Sequence, residues 1–84
     1  MRLTASSCFL RKAGKLPEPQ SAMLRAAIRR FAVDPKDPLL RTHKLKGDLA
    51  AYWAITVDDD LRVLVRWEGE EALLVNLGSH DQVY

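Results

Sequence analysis

The stretch Leu61-Arg62-Val63-Leu64-Val65-Arg66-Trp67 decides the fold. Leu61, Val63, Val65 and Trp67 fall on one side of an extended chain, and Arg62, Leu64 and Arg66 fall on the other, the period of a strand that buries one face. Upstream, across about residues 49–57, Trp53, Ile55 and Val57 share one side, while Tyr52, Ala54 and Thr56 share the opposite one. Asp58-Asp59-Asp60 joins these two runs as a turn. Downstream, Glu68-Gly69-Glu70-Glu71 turns the chain again into a third run over residues 72–77. Connections this short favour hairpins, and therefore antiparallel neighbours.

The first half of the chain reads differently. Arg2-Leu3-Thr4 is a short first strand, and Ser6 or Ser7 caps a helix running to about Lys15 with Phe9, Ala13 and Leu16 on one face. Pro17 and Pro19 break that pattern. A longer helix follows over about residues 19–32, in which Leu24, Ala27, Ile28 and Phe31 fall at i, i+3, i+4 and i+7, a narrow apolar stripe for one buried side. Asp34-Pro35 and Asp37-Pro38 end it, since a residue before proline avoids helical geometry. The expected architecture is α+β: a small β-α-α-β-β-β domain spanning residues 1–84. Its sheet is mainly antiparallel, with two helices packed on one face and Arg62 and Arg66 on the free face.

Composition limits the class. Eighty-four residues with 48% hydrophobic and 29% charged side chains suit one globular domain rather than a disordered chain. No apolar run approaches the roughly 20 residues of a membrane span, and Arg11 and Lys12 interrupt the only candidate leader segment. Cys8 is the sole cysteine, which excludes an internal disulfide, fits a cytoplasmic setting and reads as a buried, inert thiol. The net charge of +2 conceals an asymmetry. Residues 1–47 carry 11 Lys/Arg against 3 Asp/Glu, a net of +8, and residues 48–84 carry 2 against 8, a net of −6. The basic half suits RNA phosphates or an acidic partner. The plainer reading is a set of solvated helix faces, because Arg25, Arg29 and Arg30 sit where a helix surface would be.

The chemistry-bearing residues lie in two motifs around the sheet half. Thr42-His43-Lys44-Leu45-Lys46-Gly47 opens it, and Leu77-Gly78-Ser79-His80-Asp81-Gln82-Val83-Tyr84 closes the chain; together they hold both histidines. Imidazole is the common side chain whose unperturbed titration lies near neutrality. Two imidazoles, a basic group and a phenol suffice for acid–base work on a phosphodiester, which makes the chain a candidate ribonuclease. No spacing of metal-ligand residues stands out, and no cofactor is implied. The plainer readings are that His43 caps a loop and that Arg62 pairs with Asp60 or Glu70. Trp53 and Trp67 belong to the apolar face, as core rather than base-stacking residues.

The strand–two-helix–three-strand order, the His43-Lys44-Leu45-Lys46-Gly47 segment, the Asp60-Leu61-Arg62 step and the terminal Gly78-Ser79-His80-Asp81-Gln82-Val83-Tyr84 together resemble the RelE/ParE toxin superfamily. The two histidine motifs are most similar to its YafQ-like branch. The resemblance spans nearly the whole chain and is specific from His43 onward. It implies the toxin of a type II toxin–antitoxin system, with a cognate antitoxin as partner, the ribosome and mRNA as targets, and operator DNA engaged only through the antitoxin. Within the superfamily most characterised members cut mRNA in the ribosomal A site, whereas the ParE branch poisons DNA gyrase. The alternatives for this chain are accordingly gyrase inhibition, or a catalytically degenerate homologue acting as an antitoxin-binding regulatory module.

The resemblance implies site roles residue by residue. His43, the turn acid Asp60, the strand arginine Arg62, His80 and the terminal aromatic Tyr84 match functional positions. Lys44, Lys46 and Arg66 are read as phosphate contacts. The sequence departs at Thr56, where YafQ-like toxins carry a further histidine and RelE a lysine. It departs also at Ala54, which lacks RelE's charge, and at Leu61, where the branch carries an aromatic. In the implied reaction His80 and His43 act as acid and base. Arg62 holds the scissile phosphate through its planar fork, Tyr84 stacks on a base or donates a proton, and Asp60 orients an imidazole or serves only the turn.

Overall fold

The computed structural model describes residues 2–79, apart from the Leu49 side chain; His80 and Tyr84 lie outside the described residues. The elements are β1 (Arg2–Ala5), α1 (Ser7–Ala13), α2 (Gln20–Val33), β2 (His43–Lys44), β3 (Tyr52–Thr56), β4 (Leu61–Glu68) and β5 (Glu71–Ser79), with single 3₁₀ turns at Pro38–Leu40 and Gly47–Leu49. They form one five-stranded sheet in the order β1-β5-β4-β3-β2. Strand β1 lies parallel to β5, and every other pairing is antiparallel; the two helices carry the chain from β1 at one edge of the sheet to β2 at the other.

Local chemistry sets each helix. Ser6 caps α1, its Oγ accepting from the Phe9 N–H at 3.0 Å. The same hydroxyl donates to the Val75 carbonyl at 2.6 Å and so ties the helix start to β5. The helix ends at Ala13, two residues short of the expected Lys15, and Gly14 closes it with its N–H donating to Leu10. In α2 the stripe is as the spacing requires, with Leu24, Ala27 and Phe31 buried and Ile28 packed beside them. Its end at Asp34 is extended (φ −150°), the conformation a following proline imposes. Asp37 Oδ1 then accepts from the Leu39 N–H at 2.9 Å, starting the 3₁₀ turn that drives Leu40 into the core.

The alternation of β3 and β4 gives the sheet two unlike faces. Ile55, Val63 and Val65 are fully buried, and with Leu74, Leu77 and Phe31 they belong to the core under the helices. Trp67 closes one end of that core, its ring centroid 5.7 Å from that of Phe31. In β5 the core positions are Ala72, Leu74 and Leu77 rather than a strict alternation. The pairings Leu64↔Asn76 and Val65↔Leu74 pass over Val75, and this bulge restores the inward side for Leu77. Gly69, with φ 63°, occupies the first position of the two-residue turn between the paired Glu68 and Glu71, where L side chains are strained.

Two sequence expectations need correction. Four strands were expected and five are present, because His43 and Lys44 pair with Ala54 and Trp53 as the outer strand β2. Strand β3 begins at Tyr52 rather than near residue 49, since Gly47–Leu49 coils into a 3₁₀ turn with Gly47 at φ 66°. Among the described residues no helix is long and apolar enough to cross a membrane.

Truncating Phe31 tests this packing. Phe31→Ala should cost about 3–5 kcal/mol of unfolding free energy, whereas Val33→Ala, at a side chain 87% exposed, should change it by less than about 0.5 kcal/mol. Urea denaturation of both variants measures the difference.

Candidate active site

Pairing register determines which candidate residues share a face, because directly opposed residues in neighbouring strands project to the same side. His43 is opposite Ala54, and Ala54 is opposite Leu64. Tyr52 is opposite Arg66, and Thr56 is opposite Arg62. His43, Tyr52, Thr56, Arg62 and Arg66 therefore all occupy the face away from the helices. Its floor is apolar, since Ala54 is 0% and Leu64 6% exposed although neither belongs to the helix-side core.

Lys44 is separated from this group. It is opposite Trp53 and so lies on the other side of the sheet from His43, exposed on the outer strand. Lys46 precedes the Gly47–Leu49 turn and is exposed on the connection rather than on either strand. Of the three expected phosphate contacts, Arg66 alone shares the face of His43. It is half-exposed, and its Nε lies 3.9 Å from Glu68 Oε1, a surface pair worth little in water.

His43 Nδ1 lies 3.0 Å from the Arg41 carbonyl oxygen. A carbonyl can only accept, so Nδ1 carries the proton in this contact, and in the neutral ring the lone pair is on Nε2. The imidazole is thus held in the tautomer that a base acting through Nε2 requires. The carbonyl is aimed by Arg41 itself, which adopts the left-handed conformation with φ 47°. The loop-capping reading of His43 and a chemical one are compatible, because they use different nitrogens.

Arg62 is held differently from either reading of the sequence. Its Nη1 donates to the carbonyls of Asp58 (2.6 Å) and Leu61 (3.2 Å), and its Nη2 donates to that of Asp59 (3.0 Å). The guanidinium thus closes the β3–β4 turn through backbone oxygens, and no ion pair with Asp60 or Glu70 is formed. Nε takes no part in these bonds. Asp58 completes the turn from the other side: its Oδ1 accepts from the N–H groups of Leu61 (2.6 Å) and Asp60 (3.0 Å). The Leu61 N–H is the main reason its carboxyl is held below the usual carboxylate range. Burial opposes that shift, while the Asp60 N–H, the Gln20 side chain and the Arg62 charge reinforce it.

Asp60 is exposed. It borders a groove of about 370 Å³ formed with Lys12, Lys15, Gln20, Leu61 and Ser79, at the end of the sheet where the helices meet. Sequence reasoning assigned Asp60 a site role and passed over Asp58, whose carboxylate organises the turn. It also passed over Tyr52, an aromatic that reads as ordinary strand composition. Among the described residues no group of three or more His, Cys, Asp or Glu could hold a metal ion.

No protein-family model and no curated protein matches the chain. Solved structures do. YafQ from E. coli strain BL21(DE3) superposes with a TM-score of 0.80 over 100% of this chain and 99% of its own, at 14% sequence identity. The YoeB/ParE toxin from Agrobacterium tumefaciens matches with a TM-score of 0.79 over 95% of this chain and 99% of its own, at 20% identity. The fold is that of the RelE/ParE toxins. A third match, in the E. coli DinJ–YafQ complex, has a TM-score of 0.74 over 100% of this chain and 99% of the other, at 14% identity. The RelE/ParE-type sheet thus extends over the described chain, with β2 carrying His43 at its edge and the β3–β4 turn carrying Asp60.

The Asp58 geometry predicts an acid response. A carboxyl whose folded-state pKa is depressed stabilises the fold fully above its unfolded value of about 3.9, and the contribution disappears as pH falls through the folded value. Thermal unfolding followed from about pH 7 to about pH 2 should show a steeper acid decline for the wild type than for Asp58→Asn. Parallel curves would remove Asp58 from this role.

Proposed function

We propose that this protein is the toxin of a type II toxin–antitoxin pair, an endoribonuclease that cuts mRNA on the ribosome without a metal. The observation that carries the reading is the helix-free face of a RelE/ParE-type sheet. There an imidazole with a defined tautomer shares one surface with two guanidinium groups and a phenol. The fold alone does not assign the activity, because function resides in the site.

The reaction needs few parts. The RNA 2′-hydroxyl attacks the adjacent phosphorus and its proton passes to a base. The bond to the 5′-oxygen breaks, and that oxygen takes a proton from an acid. The products are a 2′,3′-cyclic phosphate and a 5′-hydroxyl, and the atoms balance with no further reactant. His43 through Nε2 and His80 fill the base and acid roles. Arg62, through the donors its turn bonds leave over, and Arg66 stabilise the charge that builds on the non-bridging phosphate oxygens. Tyr84 stacks on a base or donates a proton, and Asp60 keeps the turn and its groove. Lys44 and Lys46 contact phosphates outside the reacting nucleotide, where only charge matters.

The partner is a cytoplasmic antitoxin with an acidic, wrapping segment. Exposed Arg11, Arg25, Arg29 and Arg30 supply the long-range attraction for it, and the related YafQ structure contains the DinJ–YafQ pairing. Two observations favour a second reading. Arg62 is bound by three carbonyl contacts, and Thr56 stands where the YafQ-like branch has a histidine. These suit a homologue that binds an antitoxin and has lost its catalysis.

Primer extension on mRNA in a cell-free translation reaction separates the two. The wild type should cut translated mRNA and leave naked RNA nearly intact. His80→Ala and His43→Ala should each lose about 10²–10⁴-fold in cleavage, and Lys44→Ala should lose far less, in a salt-dependent way. Intact mRNA with normal translation would overturn the ribonuclease reading and leave the antitoxin-binding and gyrase readings.

A further inference from the structure

We infer that Tyr52 is a base-stacking residue of this same face, seating one nucleobase of the RNA beside the phosphate that Arg66 holds. The inference rests on the ribonuclease reading above and adds the residue that positions the substrate. Its first support is an inventory of aromatics. Phe9 and Phe31 are buried in the helix-side core, and Trp53 and Trp67 lie on the helix side of the sheet by register. Tyr52 is the one described aromatic on the other face, where no helix needs it for packing.

Its second support is placement. Tyr52 is directly opposite Arg66, and His43, whose partner is Ala54, is its diagonal neighbour across β2 and β3. Direct partners stand about 4.5–5.5 Å apart and diagonal ones about 7–8 Å, so ring, guanidinium and imidazole form one contiguous patch. The Tyr52 side chain is half-buried, and among the described residues its hydroxyl makes no hydrogen bond. A partly buried ring beside the buried, apolar Ala54 and Leu64 suits a π-stack. The Arg66–Glu68 contact at 3.9 Å is loose enough for a phosphate to replace it.

Charge confines the substrate to this patch. Asp58, Asp59 and Asp60 stand at one end of β4, and the paired Glu68 and Glu71 stand at the other. The strip between them is positive through Arg62 and Arg66 and only a few residues long. Phosphates are repelled at both ends, so the face holds about one nucleotide step rather than an extended strand. A ring that stacks any base gives purchase on so short a segment without reading its sequence.

Single-turnover cleavage of mRNA in a purified, stalled translation complex tests the assignment, using Tyr52→Phe, Tyr52→Leu and Tyr52→Ala, with thermal unfolding to establish that each is folded. Tyr52→Phe should stay within about 2-fold of the wild type, while Tyr52→Leu and Tyr52→Ala should lose about 5- to 150-fold. The Leu variant keeps apolar bulk without a ring and separates stacking from packing. Substituting abasic ribose in turn at the nucleotides flanking the cut should abolish the difference between wild type and Tyr52→Leu at one position. Leu and Ala variants as active as the wild type would overturn the role of Tyr52 and leave the ribonuclease reading standing. A wild type that cuts no translated mRNA would overturn both.

Discussion

Burial of one side of β4 is the constraint from which the rest of the arrangement follows. This strand is third of five, paired on both edges, and it presents Leu61, Val63 and Val65 to the helices. A slip of one residue would exchange them for Arg62 and Arg66 and force two guanidinium groups into an apolar core. The penalty fixes the register on both sides. Strand β3 is held against β4, β2 against β3, and His43 arrives on the face of Arg66 because each pairing is determined by the one before it. The site is thus a by-product of core packing on the opposite side of the same sheet.

Much of this frame is legible in the residues. The strict alternation through β4, the apolar stripe of α2 and the Asp-Pro pairs behind it each carry a local physical cause that survives folding. What escapes is short or non-periodic. A two-residue strand such as β2 cannot display alternation, and its existence depends on Ala54 and Trp53 offering a free edge. The bulge at Val75 turns alternation into a spacing of three between Leu74 and Leu77, which a period of two does not anticipate.

The site is less legible than the fold for a related reason. Arg62 looks like a phosphate or carboxylate partner because sequence shows side chains and hides carbonyls, yet its turn contacts are backbone oxygens. Likewise Asp58, Asp59 and Asp60 are indistinguishable in composition. The Asp58 carboxylate becomes the anchor because it alone can reach the N–H groups of Asp60 and Leu61 as the chain re-enters β4. Tyr52 shows the opposite effect. Its role as a strand former conceals that register places it beside Arg66.

A RelE/ParE-type fold is compatible with a ribonuclease, a gyrase poison or a silent antitoxin partner, and the His43 patch argues for the first. Mapping RNA ends in cells shortly after induction, alongside plasmid supercoiling, decides among them most directly. The account predicts new 5′-hydroxyl ends within translated coding regions, paired with 2′,3′-cyclic phosphates, while supercoiling stays normal over the same interval. Relaxed plasmid with intact mRNA, or no change in either, would contradict it.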